Sequence, residues 1–529
     1  MKSIYSILPL AMMTACGVNP QKSKEVKAPN VIYIMADDHA TAAISAYGSR
    51  LSSVLKTPSL DRLAKEGAIL RNCFATNSIC TPSRASILTG QHSHLNGVRT
   101  LTDTLDIAKP TLIKELNKGG YQTALVGKWH LHSEPQYFDY YEVLPGQGRY
   151  FDPEYKKKGE NMNLPFEKRP TTVHKGYSTD VTTELSIKWL EQRDKNKPFF
   201  LMTNFKAPHM LWQYHPKYEH LLDSVDIPEP ENLFPDKSNY SSARKGHENT
   251  LIRLANLMSG KTPYHDDDGN FESWPTGNLK IDGLSKKEMI KAGYQKYLKD
   301  YLRVVASIDE NVGKLLDYLE RNGLAENTIV VYTSDQGMFL GEHQYLDKRW
   351  IFEESIKMPF LIRYPKAISV GLKVDELITN VDFAPTLLDY AGVDKPDYMQ
   401  GESFKSILEG NTPNNWQSSI YYRYWMHRDM TPAHYGIRTD RYKLVYIYGL
   451  NLDANNYGHP DSESGWEFYD LKKDPHENIN LYEAHEYQRV IDSLKQELQI
   501  LKTKFNDPDS KYPEMMKQLT MNIKQTIIN

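Results

Sequence analysis

The sequence predicts an α/β protein, with a mostly parallel central sheet flanked by helices over residues 29–412 and a small antiparallel-sheet subdomain over residues 413–529. Two observations predict it. Apolar runs of strand length, rich in β-branched and aromatic residues, alternate with helical patterns, as in parallel sheets whose strands are buried on both faces. From about Pro413 the chain changes to short aromatic-rich segments that read as antiparallel strands.

Asn30 to Ala36 (NVIYIMA) is a continuous apolar run and reads as a buried strand. Thr111 to Lys118 has helical spacing and stops at Gly119-Gly120; a strand, Thr123 to Val126, follows. Val181, Leu185 and Trp189 lie four apart on a helix, and Pro198 precedes the strand Phe199 to Asn204 (FFLMTN). Ser285 and Glu288 have capping-box spacing at the start of a long helix that Asn322-Gly323 ends. Thr328 to Thr333 (TIVVYT) is another buried strand. In the second region, Ser418–Trp425, Tyr435–Thr439, Tyr442–Tyr448 and Glu467–Leu471 read as strands, and Val490, Leu494 and Leu498 mark a closing helix. Residues 142–176 and 214–280 lack periodicity and read as long loops, where binding specificity often resides.

The 529 residues carry 64 Lys and Arg against 67 Asp and Glu, a net charge of −3, which excludes a general nucleic-acid binder that works by counterion release. Three cysteines, Cys16, Cys73 and Cys80, cannot form a disulfide framework for the whole chain. Lys2 and the apolar stretch Ile4–Met13 are too short to span a bilayer and read as a signal segment over residues 1–15. Small residues before Cys16 resemble a bacterial lipobox, which implies cleavage before Cys16 and a lipid on it; an ordinary signal peptide with an incidental cysteine is the alternative. Residues 16–28 are polar, as suits a tether. The expectation is an exported lipoprotein, at the outer membrane or facing the periplasm.

Ligands of open α/β sheets bind beyond the carboxyl ends of the strands. Four predicted strands deliver chemistry there: Asp37-Asp38, the run Gly127-Lys128-Trp129-His130, the run Lys206-Ala207-Pro208-His209, and Asp335-Gln336-Gly337. Crowded carboxylates repel unless a cation neutralises them, and hard oxygen donors with the Gln336 amide favour Ca²⁺ or Mg²⁺ over zinc. Alone, Asp37-Asp38 would serve equally as a helix cap. Pro82 suits a first helical turn, which puts Cys80 just before a helix N-terminus. Cys80 there reads as a low-pKa thiolate nucleophile; a buried, inert role suits Cys73 better.

The segment Cys80 to Gly90 (CTPSRASILTG) resembles the signature of the formylglycine-dependent sulfatases of the alkaline-phosphatase-like superfamily. The similarity extends through NVIYIMADDHA, GKWHLH, KAPH, SDQG, DKRW and FYDLKKDPHE. It implies an alkaline-phosphatase-like fold with a small C-terminal subdomain, and a partner enzyme that oxidises Cys80 to formylglycine. It further implies that Asp37, Asp38, Asp335, Gln336 and modified Cys80 bind Ca²⁺, that Arg84 holds the formylglycine, and that Lys128 and Lys348 clamp the sulfate. His130 and His209 become the proton-transfer pair. Gln336 stands where relatives often have Asn or His but keeps an oxygen, and His132 stands where many have Gly. The implied activity is hydrolysis of carbohydrate sulfate esters by an exo-acting glycan O-sulfatase, on hexosamine- or galactose-type residues at O6 or O4. His434, in the cluster Tyr422–Arg438, and Trp212 are candidate sugar contacts. The rival readings are a phosphonate or phosphate ester hydrolase on the same scaffold and a non-catalytic glycan-binding lipoprotein.

Overall fold

The computed structural model describes residues 28–247, 250–266, 269–271, 273–452 and 459–528. Cys16, with the signal segment and most of the tether, lies outside them. Among the described residues no helix is long and apolar enough to cross a membrane.

A ten-stranded sheet organises the large domain. Its centre is the strand Asn30–Ala36, parallel to Thr328–Ser334 on one side and to Phe199–Asn204 on the other, with Gln122–Lys128 and Tyr140–Leu144 continuing in parallel. Beyond Thr328–Ser334, the strand Phe360–Arg363 runs antiparallel. Register decides where the chemistry falls. Ala36 pairs with Ser334, Met35 with Asn204, and Asn204 with Gly127, so four chains leave the sheet at the same edge.

The central strand is buried on both faces, which accounts for its uninterrupted apolar run. Ile32, Ile34 and Ala36 point into one core cluster, with Val181, Leu185 and Trp189 of the helix Ser178–Gln192 and Tyr301, Val305 and Ile308 of the long helix Lys286–Arg321. Val31, Tyr33 and Met35 point into the other, with Ala85 and Leu88 of the helix Cys80–Thr89 and Leu387 and Leu388 of Phe383–Ala391. Each large aliphatic side chain so buried contributes roughly 1.5–3 kcal/mol.

The 36-residue helix Lys286–Arg321 follows from its pattern. Tyr294, Leu298, Tyr301, Val305, Ile308, Val312, Leu315 and Leu319 recur at alternating spacings of four and three and are all buried. The capping box forms as expected: Glu288 N–H donates to Ser285 Oγ, and Ser285 N–H donates to Glu288 Oε2 at 2.8 Å. Gly323, at φ 65°, ends the helix. Gly293 lets a second helix, Leu251–Met258, lie against this one, because a Cβ at 293 would sit 2.9 Å from Ala255 Cβ.

The subdomain is a four-stranded antiparallel sheet of Ser419–Tyr424, His434–Thr439, Tyr442–Ile447 and Gly465–Asp470. One face packs on the large domain, with Tyr422, Tyr424, Val445 and Ile447 against Phe74, Phe339, Trp350 and Phe352. The helix Gln488–Lys504 covers the other through Ile491, Leu494 and Leu498. Three expectations change. Residues 142–176 are not all loop, since Glu154–Lys157 and Thr172–Val173 add edge strands; their short length gave no periodicity to read. Residues 214–280 contain the helix Leu251–Met258. Cys80 is the first residue of its helix, with Ile79 as the cap, rather than the residue before it.

Ser285→Ala should cost about 1 kcal/mol, because the lost oxygen caps an exposed helix end without leaving a cavity. Urea unfolding is the measurement; the midpoint should fall with the slope unchanged.

Candidate active site

Asp37 and Asp38 follow the central strand directly, and both are buried. Asp38 adopts φ 69°, a left-handed conformation that turns its side chain back over the sheet edge. Its N–H donates to Asp335 Oδ1 at 3.2 Å, and the Tyr301 hydroxyl donates to its carbonyl at 2.8 Å. One oxygen each of Asp37 and Asp335 and the Cys80 sulfur lie within 4.8 Å of one another. Cys80 Sγ is 4.0 Å from Asp38 Oδ1 and 3.9 Å from Gln336 Nε2, and Gln336 donates to Asp38 Oδ1.

Three buried cations answer the three carboxylates. Lys128 Nζ donates to Asp37 Oδ2 and to Gln147 Oε1. Lys348 Nζ donates to Asp38 Oδ2 at 2.7 Å. Arg84 Nε donates to Asp335 Oδ2 at 3.0 Å, its Nη1 to the Lys128 carbonyl at 3.0 Å, and its Nη2 lies 3.6 Å from Asp37 Oδ1. Arg84 thereby ties the Cys80 helix to two strand ends.

These pairings set the titration behaviour. Burial would raise Asp37, but Lys128, His209 and Arg84 outweigh it and hold the carboxyl well below the usual range. Asp335 goes the other way: burial and then Asp37 push it up to about 7 against the pull of Arg84. Burial pushes the Cys80 thiol well above its ordinary value; Lys348 opposes, while Asp37, Asp335 and Asp38 add to the rise. A low-pKa thiolate is therefore the wrong picture of the unmodified side chain. The start of the helix favours an anion, but burial beside three carboxylates disfavours it more strongly.

Two glycines make the site geometrically possible. Gly127 has φ 102°, and a Cβ there would lie 1.9 Å from the Asn204 carbonyl oxygen; the kink delivers Lys128 to Asp37. A Cβ at Gly337 would lie 2.1 Å from the Glu354 carbonyl oxygen. The histidines of the predicted pair sit beside this centre. His130, at φ 56°, is buried, and its Nδ1 has no hydrogen-bond partner among the described residues. His209 Nδ1 hydrogen-bonds the Met210 carbonyl at 2.8 Å, which leaves Nε2 facing Asp38 Oδ2 at 3.8 Å. His132 Nε2 hydrogen-bonds the Leu101 carbonyl at 2.7 Å and packs edge-on against His130.

A cavity of about 280 Å³ opens over Cys80, lined by Asp38, His209 and Lys348 among others. That lies near the lower bound for small-molecule sites. Sequence reasoning missed several of its walls. Asp347 and Arg349 flank Lys348 within the quoted DKRW run, and Asp347 Oδ2 pairs with Arg349 Nε at 2.5 Å. Gln147 and Arg253 come from the two segments read as long loops, and Arg428 and Met430 from the subdomain. The signal was the position of those segments, since no single residue type marked them.

Two expected sugar contacts are elsewhere. Trp212 is fully buried and packs on Tyr297 and Trp274, so it presents no face to a ligand. His434 is fully buried too. Its Nδ1 hydrogen-bonds the Pro432 carbonyl at 2.8 Å, and its Nε2 accepts from Ile351 N–H at 3.1 Å, so both ring nitrogens are committed to backbone. Exposure, which no residue pattern encodes for an isolated histidine or tryptophan, decides both.

The residues present fit a divalent ion. The donors are hard oxygens, and two buried ones, Asp37 Oδ1 and Gln336 Oε1, accept no hydrogen bond from a described residue. Gly337→Ala should destabilise the fold by more than about 3 kcal/mol, since the new methyl meets the main-chain carbonyls of Glu354 and Lys357 and the strand end cannot move without breaking the site. Chemical denaturation measures the loss, and a stable variant would contradict the close approach.

A sulfatase family model matches residues 29–393, and a model of the C-terminal region of N-sulphoglucosamine sulphohydrolase matches residues 341–504. The chain is 40% identical to an N-acetylglucosamine-6-O-sulfatase of Bacteroides thetaiotaomicron, over 97% of this chain and 93% of that one. A structure solved in complex with its substrate D-glucosamine-2-N,6-O-disulfate superposes at a TM-score of 0.80 with 40% identity, covering 91% of this chain and 99% of the other. A phosphonate monoester hydrolase from Silicibacter pomeroyi shares the fold alone, with a TM-score of 0.67 and 17% identity over 90% of this chain and 95% of its own. With the family model spanning most of its length and a full-length relative at this identity, the chain belongs to the sulfatase family, sulfuric ester hydrolases of alkaline-phosphatase-like fold.

Proposed function

We propose that this sulfatase removes the 6-O-sulfate from a glucosamine-type residue at the non-reducing end of a glycan. The observation that carries the reading is the convergence of Asp37, Asp38, Asp335, Gln336, Lys128 and Lys348 around Cys80 at the floor of one small cavity. The comparisons support the sugar: a relative is named an N-acetylglucosamine-6-O-sulfatase, and a similar structure was solved with D-glucosamine-2-N,6-O-disulfate. The cavity's size suits one sugar ring, which supports exo action.

Asp37, Asp38, Asp335, Gln336 and residue 80 would hold Ca²⁺, with Mg²⁺ the weaker fit. When bound, the ion supplies charge stabilisation to the ester oxygens as a Lewis acid. Oxidation of Cys80 to formylglycine by a maturation enzyme would supply the nucleophilic hydroxyl as the hydrated aldehyde. Arg84, fixed by Asp335 and the Lys128 carbonyl, would hold that side chain in line.

The remaining work falls to this chain's own side chains. Lys128 and Lys348 are buried cations on either side of Asp37 and Asp38, placed to grip an anionic head that presents several oxygens. His209 is our donor to the departing sugar oxygen, through the Nε2 that its bond to Met210 leaves facing the cavity. Burial draws His209 well below the ordinary imidazole value; Asp37 opposes this, while Lys128 and Lys348 deepen it. A bound anion would restore the proton the leaving group needs. His130, held neutral by burial and then by Lys128, would accept a proton from residue 80.

We also place the mature protein on a bacterial membrane through a lipid on Cys16, exported to the periplasm or outer membrane. The polar stretch before residue 29 supports that reading.

The direct test is turnover of a panel of sulfated sugars. We expect N-acetylglucosamine-6-sulfate to be cleaved, and preference for a 4-O-sulfate, for galactose-6-sulfate, or for an aryl phosphate over an aryl sulfate would each defeat the assignment. His209→Ala should lower kcat on the sugar ester by about 10²–10⁴-fold and affect an aryl sulfate far less, because a phenolate leaves without a proton. Equal losses on both esters would remove His209 from the donor role.

A further inference from the structure

We propose that Gln147 is a direct contact to the substrate: its side-chain Nε2 donates to an oxygen of the sulfate head, from a position set by Lys128. This inference deepens the reading of the cavity over Cys80 as the ester site and rests on it; it does not depend on which sugar carries the sulfate.

Strand register brings Gln147 to the site. Lys128 ends the strand Gln122–Lys128, and its partner in the neighbouring parallel strand Tyr140–Leu144 is Leu144. The turn that follows Leu144 therefore starts beside Lys128. Gly148 N–H donates to the Pro145 carbonyl at 2.9 Å and closes this turn at φ 73°. A Cβ at 148 would also lie 2.8 Å from Leu144 Cδ1, so glycine suits the position twice over. Lys206, itself buried, donates from Nζ to the Gln147 carbonyl at 3.4 Å, and the Tyr150 hydroxyl donates to the His209 carbonyl. Both bonds tie the turn to the segment that carries His209.

The chemistry of Lys128 then orients the amide. Its Nζ donates to Asp37 Oδ2 and to Gln147 Oε1. An ammonium can only donate, so the oxygen of the Gln147 amide must face it and the nitrogen must face away. Lys128 is fully buried, whereas Gln147 is half-buried and lines the cavity. Gln147 Nε2 makes no hydrogen bond to a described residue. Water would satisfy that nitrogen in the free enzyme, but its direction is set by the lysine behind it. The bond from Lys128 also polarises the amide and strengthens its N–H groups as donors.

A neutral donor suits this place. Asp37, Asp38 and Asp335 already pair with Lys128, Lys348 and Arg84. A further buried cation would be uncompensated in the free enzyme. An amide instead adds a donor for the anion and no charge.

A sugar hydroxyl is the competing acceptor, and the two products of the reaction separate them. The test compares the matured full-length enzyme with two variants. Gln147→Met keeps the side-chain length and removes both amide groups; Gln147→Glu keeps an oxygen for Lys128 and removes the N–H. We expect kcat/KM for N-acetylglucosamine-6-sulfate to fall about 10- to 100-fold in Gln147→Met, the scale of one donor lost against a charged group. Gln147→Glu should lose at least about tenfold more, because its carboxylate would face the ester. In both variants the inhibition constant of inorganic sulfate should rise, while that of free N-acetylglucosamine stays unchanged. Gln147→Met indistinguishable from wild type removes the contact. Gln147→Glu more active than Gln147→Met leaves Gln147 only the task of holding Lys128, and weakened inhibition by N-acetylglucosamine in place of sulfate moves the contact to the sugar; either overturns the proposal. Gln147→Ala takes the place of the methionine variant if a thermal scan shows that it does not fold. Should the sugar assignment alone fail, the same comparison is made on the sulfate ester that the enzyme does cleave. A wild-type enzyme that cleaves no sulfate ester overturns the ester-site reading and this contact together.

Discussion

Mutual charge neutralisation at the edge of a parallel sheet is the constraint on which the rest of this molecule depends. Asp37, Asp38 and Asp335 are buried within a few ångströms of one another, and Lys128, Lys348 and Arg84 are buried with them. None of these ions is stable there alone. Removing one member of such a buried pair costs roughly 3–5 kcal/mol, because it leaves the other uncompensated. The arrangement is therefore poor as a device for stability and well suited to an anionic sulfate ester: the cations that now answer carboxylates are already desolvated.

That neutralisation demands unusual backbone. Asp38, His130, Asp347 and Arg349 all have positive φ, at 69°, 56°, 74° and 90°. Each such non-glycine residue stores of order 1–3 kcal/mol, tolerated only where the surroundings fix it. Here they are fixed by the Tyr301 hydroxyl on the Asp38 carbonyl, by Asp335 on the Asp38 N–H, and by the Asp347–Arg349 pair. The long helix that carries Tyr301 consequently serves the site as well as the core.

The subdomain completes the cavity. Its inner face packs against Trp350 and Phe352, directly after Lys348 and Arg349, so the segment that supplies those cations is clamped between the two sheets. The buried His434 belongs to this clamp: by accepting from Ile351 N–H it satisfies backbone that the packing removes from water. Trp212 instead fills space in the large domain's core, packed on Tyr297 and Trp274.

The sequence by itself determined what depends on neighbours along the chain. The strands Asn30–Ala36 and Phe199–Asn204 were legible to the residue because burial on both faces leaves an unbroken apolar run. The Ser285 cap was legible because capping is local. The convergence of Asp37, Lys128, His209 and Asp335 was legible because parallel strands put their carboxyl ends on one edge, whatever the detail of packing. Only the tertiary structure decided the rest. The thiol of Cys80 is pushed up rather than down because burial removes it from water, and the carboxylates of Asp37, Asp335 and Asp38 add to the rise. His434 and Trp212 are core residues because exposure is a sum over distant segments. Gln147, Arg253 and Arg428 reach the cavity from a loop, the short helix Leu251–Met258 and a subdomain turn, and only packing between segments far apart in sequence brings those three together.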